Sequence, residues 1–271
     1  MKLRAITGCR MALLSLSLMC STVCCSSSSG DSPPPKSFVL VHGAFMGAWA
    51  WDAVAAKLRA DGAKVTAVEL PAHGADRAPV SGATLDAYVA KVEGAIDAAG
   101  EPVILVGHSM GGVVITQVAE QRPDKIAKLV YVAAILPKDG QSLQDLASKD
   151  AGSHLGPALT PNPATGTGSV AVSKLRDIFC ADCTDAEEAA IESHYRDEPL
   201  APFVTPVHLT AASYGRVTKF YIYTKQDLAV SYNAQQSMTA GVTFASTATL
   251  DTSHSPFLSR PDAFLAALLG F

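Results

Sequence analysis

The chain has 271 residues, 48% hydrophobic and 17% charged, which is enough to bury one large core and too apolar for disorder over most of its length. Its formal net charge is −4 and no basic stripe runs along it, which argues against a protein that tracks a phosphate backbone. No internal repeat is visible, which argues against a solenoid.

Residues 1–25 read as an export signal. Lys2, Arg4 and Arg10 give a positive start, and Met11 to Val23 is a mostly apolar run too short to span a bilayer comfortably. Residues 26–36 are small, polar and Pro-rich, which suits a flexible tether. A cysteine after an apolar run, followed by serines, resembles a bacterial lipoprotein, so a lipid anchor is an alternative to simple cleavage. Met19 before Cys20 and Val23 before Cys24 depart from that pattern. Either way the expected location is outside the cytoplasm.

From residue 37 to the end, apolar runs alternate with helical patterns. Residues 38–42, 64–69, 102–107, 128–134 and 219–223 read as buried strands, with a weaker one at 242–247. Helical periodicity covers 49–61, 84–99, 110–121, 231–239 and 261–269, with Thr84 as a cap. Strand and helix in alternation predict an α/β fold, a mostly parallel sheet with helices on both faces. Residues 137–212 interrupt the alternation with a stretch far longer than an ordinary connection, rich in Gly, Pro, Ser and Thr between helical patches near 142–149 and 185–195. Such an insertion is expected to form a cap over a site. Within it, Cys180 and Cys183 are either a local disulfide or two half-buried thiols, and no second cysteine pair accompanies them for a structural zinc site. No metal and no organic cofactor are expected.

The strongest signal is Gly107-His108-Ser109-Met110-Gly111, which follows an apolar strand and opens a helix. Glycines two before and two after let strand and helix approach closely, and the serine is pushed into the open at a helix N-terminus, where developing negative charge is favoured. A serine nucleophile needs a base and a group that orients the base. Of seven histidines, His254 follows the last strand and sits at the same sheet edge as Ser109. His42 and His108 flank glycine turns and read as structural, and His73 reads as a turn residue. Asp227, three residues past the strand ending at Thr224, is the expected acid, with Asp139 as runner-up; Asp251 is too close along the chain to reach behind the imidazole. The N–H groups of Met110 and Ala44 are placed to receive an oxyanion. Phe45, His108, Leu136 and Phe203 are expected to bound the substrate.

With these residues in place, the chain resembles an α/β-hydrolase of the branch that holds plant methyl esterases, hydroxynitrile lyases and related bacterial carboxylesterases. The likeness rests on residues 38–51, 65–71, 106–112, 221–227 and 252–257. It implies a Ser109, Asp227, His254 triad with Ala44 and Met110 as oxyanion donors. The lyases tend to carry threonine where this chain has Gly43, and lysine where it has Ser255, so both departures favour ester hydrolysis. The expected activity is therefore a serine carboxylesterase acting on small to medium apolar esters through an acyl-enzyme. Cyanohydrin cleavage on the same fold and a non-catalytic ligand receptor are the alternatives. The expected partner is a small-molecule ester, not nucleic acid, and the oligomeric state is open.

Overall fold

A computed structural model describes residues 36–271. The expected export signal at 1–25 and tether at 26–36 lie outside the described residues, apart from Lys36. Among the described residues no helix is long and apolar enough to cross a membrane.

The first half of the chain runs β1 (Ser37–Val41), α1 (Asp52–Ala60), β2 (Lys64–Val68), α2 (Leu85–Ala99), β3 (Val103–His108), α3 (Gly111–Gln121) and β4 (Ile126–Val132). A long inserted segment then carries α4 (Leu143–Ala147), α5 (Leu155–Ala158), β5 (Thr160–Asn162), β6 (Thr167–Ser169), α6 (Leu175–Phe179), α7 (Asp185–His194), β7 (Glu198–Pro199) and α8 (Ala201–Val204). The chain closes with β8 (Lys219–Thr224), α9 (Tyr232–Thr239), β9 (Ser246–Leu250), α10 (Pro256–Ser259) and α11 (Pro261–Leu269).

Six strands form one sheet in the order β2-β1-β3-β4-β8-β9, every neighbouring pair parallel. The expected α/β architecture is thus present. All residues of β1 and β3 are buried, as covered faces require, while the edge strands β2 and β9 alternate in exposure. The α3 helix is buried from Gly111 to Ala119, so it belongs to the core. In α2 only one face is buried, through Leu85, Tyr88, Val89, Val92 and Ile96. The Thr84 hydroxyl caps α2 by accepting from the Ala87 N–H.

One expectation needs correction and one element was not anticipated. The last strand is Ser246–Leu250, not 242–247: Val242 and Phe244 are apolar because they pack on the core from the preceding turn, and the strand itself is a polar edge. The inserted segment also holds a small antiparallel sheet in the order β5-β6-β7 that its composition did not announce.

Candidate active site

In a parallel sheet all strands end at the same edge, and four loops at that edge build the site. The loop after β3 contributes Ser109, whose φ of +53° is a left-handed conformation uncommon for a residue with a side chain. The turn holds because its backbone is tied down. The Ser109 carbonyl accepts from the N–H groups of Gly112 and Ile135, at 3.0 Å each. A methyl at Gly111 would come within 2.7 Å of the His42 carbonyl oxygen, so only glycine permits this approach of helix to strand.

The loop after β8 contributes Asp227, 4% exposed. Its carboxylate gathers five donors. The N–H groups of Ala229 and Val230 reach Oδ1 at 2.8 Å each. The Thr224 hydroxyl at 2.9 Å, the Gln235 amide at 3.0 Å and His254 Nδ1 at 2.7 Å converge on Oδ2. An acceptor-only carboxylate suits that set. His254, from the loop after β9, donates Nδ1–H to it, so the lone pair of the neutral imidazole sits on Nε2. That atom is buried and has no hydrogen-bond partner among the described residues, Ser109 included. In unliganded hydrolases such contacts often close only around substrate. His254 is held from behind as well: its carbonyl accepts from His108 Nε2 at 3.0 Å, and the two rings lie 4.4 Å apart. The runner-up acid Asp139 instead accepts from the Leu209 N–H at an exposed position.

The loop after β1 contributes Ala44. With Ser109 and Met110 it lines a cavity of about 410 Å³ whose walls are mostly aliphatic, among them Leu143, Leu155, Leu200, Val230 and Met238. No other protein group among the described residues takes the N–H of Ala44 or Met110. No lysine or arginine lines this cavity.

Of the four expected substrate-binding residues, Phe203 lines the cavity and three do not. Phe45, on a backbone with φ +61°, points its ring into the core, stacked on Tyr195 and tilted against Phe179. His108 is fully buried and its Nε2 is used to support His254. Leu136 faces a neighbouring cleft with Lys138 and Gln141. Leu200 and Val204 from the inserted segment also line the cavity.

Buried histidines on the other side of the loop after β1 split in behaviour. Burial and the neighbouring His73 push His42 down to about 3. It donates Nδ1–H to the Gly43 carbonyl at 2.8 Å and accepts the Leu70 N–H on Nε2 at 3.2 Å, as a neutral imidazole would. Burial and the nearby His254 hold His108 well below its ordinary value. For His73, burial acts downward, but the Glu198 carboxylate, the Pro71 carbonyl and the Glu69 charge together outweigh it and the net shift is upward. Glu198, wholly buried on β7, is a residue that nothing in its local sequence context singles out. A second missed contact is Asp182, whose carboxylate accepts from the hydroxyl of Ser253, beside His254. Asp182 sits between Cys180 and Cys183, which form a disulfide.

Among the described residues no cluster of histidine, cysteine or carboxylate side chains is placed to hold a metal. A serine on a strained strand-to-helix turn, at the strand ends of a six-stranded parallel sheet and under an inserted cap, defines an α/β-hydrolase. The chain belongs to the alpha/beta hydrolase family, whose model matches residues 38–267. It is 34% identical over 86% of its length to an Arabidopsis thaliana protein that bears the name methylesterase 11, chloroplastic, and 33% identical over 77% to esterase PIR7B of Oryza sativa subsp. japonica. The chain spans 63% of the former relative and 85% of the latter. A solved structure of polyneuridine aldehyde esterase superposes with a TM-score of 0.78 at 24% identity, covering 87% of this chain and 98% of that one. A pyrethroid hydrolase from Sphingobium faniae JZ-2 gives 0.76 at 25% identity, covering 87% and 96%.

Proposed function

We propose that this chain is a serine carboxylesterase that cleaves small to medium, uncharged, apolar esters through an acyl-enzyme. What supports it most is one observation: Ser109 faces an aliphatic cavity together with two untaken backbone N–H groups, while a buried imidazole oriented by Asp227 keeps a lone pair on Nε2. The names of the relatives, methylesterase and esterase, agree with it.

In this reaction His254 Nε2 takes the proton of Ser109 as the oxygen attacks the ester carbonyl. The carbonyl oxygen becomes an anion and is received by the N–H groups of Ala44 and Met110, each such donor contributing about 3–4 kcal/mol to the barrier reduction in known hydrolases. The imidazolium, stabilised by Asp227, returns the proton to the leaving alkoxide. Water then repeats the sequence on the acyl-enzyme and frees the acid.

The cyanohydrin alternative is disfavoured at Gly43. A Cβ there would lie 2.8 Å from that of Ser109 and 2.9 Å from His108 Nδ1, leaving no room for the threonine that lyases tend to carry. The absence of a basic residue from the cavity wall disfavours anionic substrates. Export belongs to the same proposal, and the Cys180–Cys183 disulfide supports it, since such bonds persist in oxidising compartments. Intact mass of the chain recovered from fractionated cells tests it; an uncleaved chain confined to the cytoplasm would overturn it.

The test of the chemistry is Ser109→Ala. Turnover of p-nitrophenyl butyrate and labelling by a fluorophosphonate should both vanish. Retained turnover refutes the proposal, and cyanide release from mandelonitrile by the unaltered protein would favour the lyase instead.

A further inference from the structure

The loop that carries Ala44 is pinned on both sides of that residue. On one side, His42 donates Nδ1–H to the Gly43 carbonyl, which fixes the peptide plane containing the Ala44 N–H. On the other, the Phe45 N–H donates to Glu198 Oε2 at 2.5 Å, which fixes the next plane. The two residues are 153 positions apart in sequence. Phe45 holds a left-handed backbone, a conformation that persists in a bulky residue only when its surroundings over-determine it. Without Glu198 its N–H would be a buried orphan.

Glu198 is itself fully buried and needs a counter-charge. His73 supplies it, with Nε2 at 3.0 and 3.1 Å from the two carboxylate oxygens. The other ring nitrogen of His73 lies 3.0 Å from the Pro71 carbonyl. Both nitrogens thus face acceptors, an arrangement only the imidazolium satisfies fully. The Tyr88 hydroxyl closes the pocket at 3.4 Å. The proposed chemistry of Ser109 uses neither Glu198 nor His73, so a paired charge buried beside the donor loop is unaccounted for.

We propose that Glu198, neutralised by His73, is a positioning residue that holds the Ala44 N–H at the place where the ester oxygen becomes an anion. Because Glu198 lies on β7, just ahead of the cavity residues Leu200 and Phe203, it also ties the inserted cap to the donor loop. This inference rests on the serine esterase proposal above. A misplaced donor weakens the transition state and leaves ground-state binding intact, so the signature is a fall in kcat at constant KM.

The experiment compares Glu198→Leu, Glu198→Gln and Ser109→Ala with the unaltered chain on p-nitrophenyl butyrate, with circular dichroism and melting to check folding. Glu198→Leu should lower kcat about 100-fold with KM within about twofold, near the loss seen when one oxyanion donor is removed. Glu198→Gln, which keeps a weaker acceptor for the Phe45 N–H, should lose about tenfold and so partly rescue the leucine variant. Inhibition by a phenylboronic acid, which mimics the tetrahedral anion, should weaken in parallel with kcat. A folded Glu198→Leu with unchanged kcat, or one in which only KM rises, overturns the inference. If Glu198→Leu does not fold, Glu198→Gln decides: an unchanged kcat and boronate affinity overturn the inference, and a joint loss supports it. Persistent turnover in Ser109→Ala would instead mean that the esterase proposal beneath it has failed.

Discussion

A side chain at position 43 would have to occupy space that Ser109 and His108 already hold. Gly43→Ala is therefore expected to displace the nucleophile or the donor loop by a few tenths of an ångström. A misplacement of about 1 Å costs about 100-fold, so this smaller shift should lower kcat/KM by about tenfold, and the crowding should lower stability by about 1–3 kcal/mol. Kinetics on p-nitrophenyl butyrate alongside a melting curve check both, and unchanged kinetics would mean that the loop relaxes freely. Individual residues differed in how plainly the sequence announced them. Ser109 was legible because a strained turn between strand and helix needs glycines at fixed offsets. His254 and Asp227 were legible because loops after late strands must reach the same edge. Glu198 was not, since a glutamate in Asp-Glu-Pro looks like any solvated acid until its partners Phe45 and His73 arrive from the far end of the chain. Phe45 was misplaced for a related reason: the rings it packs on, Phe179 and Tyr195, also arrive from the distant inserted segment, and a phenylalanine does not advertise a left-handed backbone.

At the level of elements, the segment after α6 is short but anchored at both ends. The Cys180–Cys183 disulfide closes it, Arg176 donates to the Cys183 carbonyl at 2.8 Å, and Asp182 holds Ser253 next to the imidazole loop. Closing so small a ring stabilises the fold by about 2 kcal/mol in the chain-entropy picture. Reduction, or a Cys180→Ser, Cys183→Ser double variant, should lower the melting temperature by a few degrees, about 2–4 °C per kcal/mol in a domain of this size. Calorimetry with and without reductant checks this; identical curves would show the ring to be inert. Element types were legible wherever an apolar run had to be buried on two faces, as in β1 and β3. They were illegible where pairing alone made the strand: β5 and β6 are built from Thr-Pro-Asn and Thr-Gly-Ser, and β9 from a polar edge.

Across the whole molecule, the buried histidines predict how stability follows pH. His42, held at about 3, and His108, held well below its usual range, stay neutral in the folded chain but take up protons near 6.5 once it unfolds. Below about 6.5 the unfolded state therefore binds more protons, and stability is lost as pH falls toward 3 for His42. The slope is up to about 1.4 kcal/mol per pH unit for each group. His73 acts in the opposite sense, because its pKa is raised: the stability it contributes is complete below 6.5 and fades as pH climbs through the folded value. Denaturant titrations between pH 4 and 9 should give a maximum near neutrality, and a curve rising monotonically to pH 9 would contradict the His73 assignment.

The inserted segment leaves the sheet after β4 and returns at β8, two strands that lie side by side with Leu129 opposite Lys219. Because the pair is parallel, the segment leaves at the edge that carries Ser109 and re-enters from the opposite edge, along neighbouring strands. A segment grafted there can lengthen, shorten or be exchanged wholesale without moving the register of any strand, so a swap of caps between related hydrolases is a direct route to new substrate ranges on an unaltered frame. Among the stitches such a transplant would have to reproduce are the carboxylate that meets Phe45 and the one that meets Ser253.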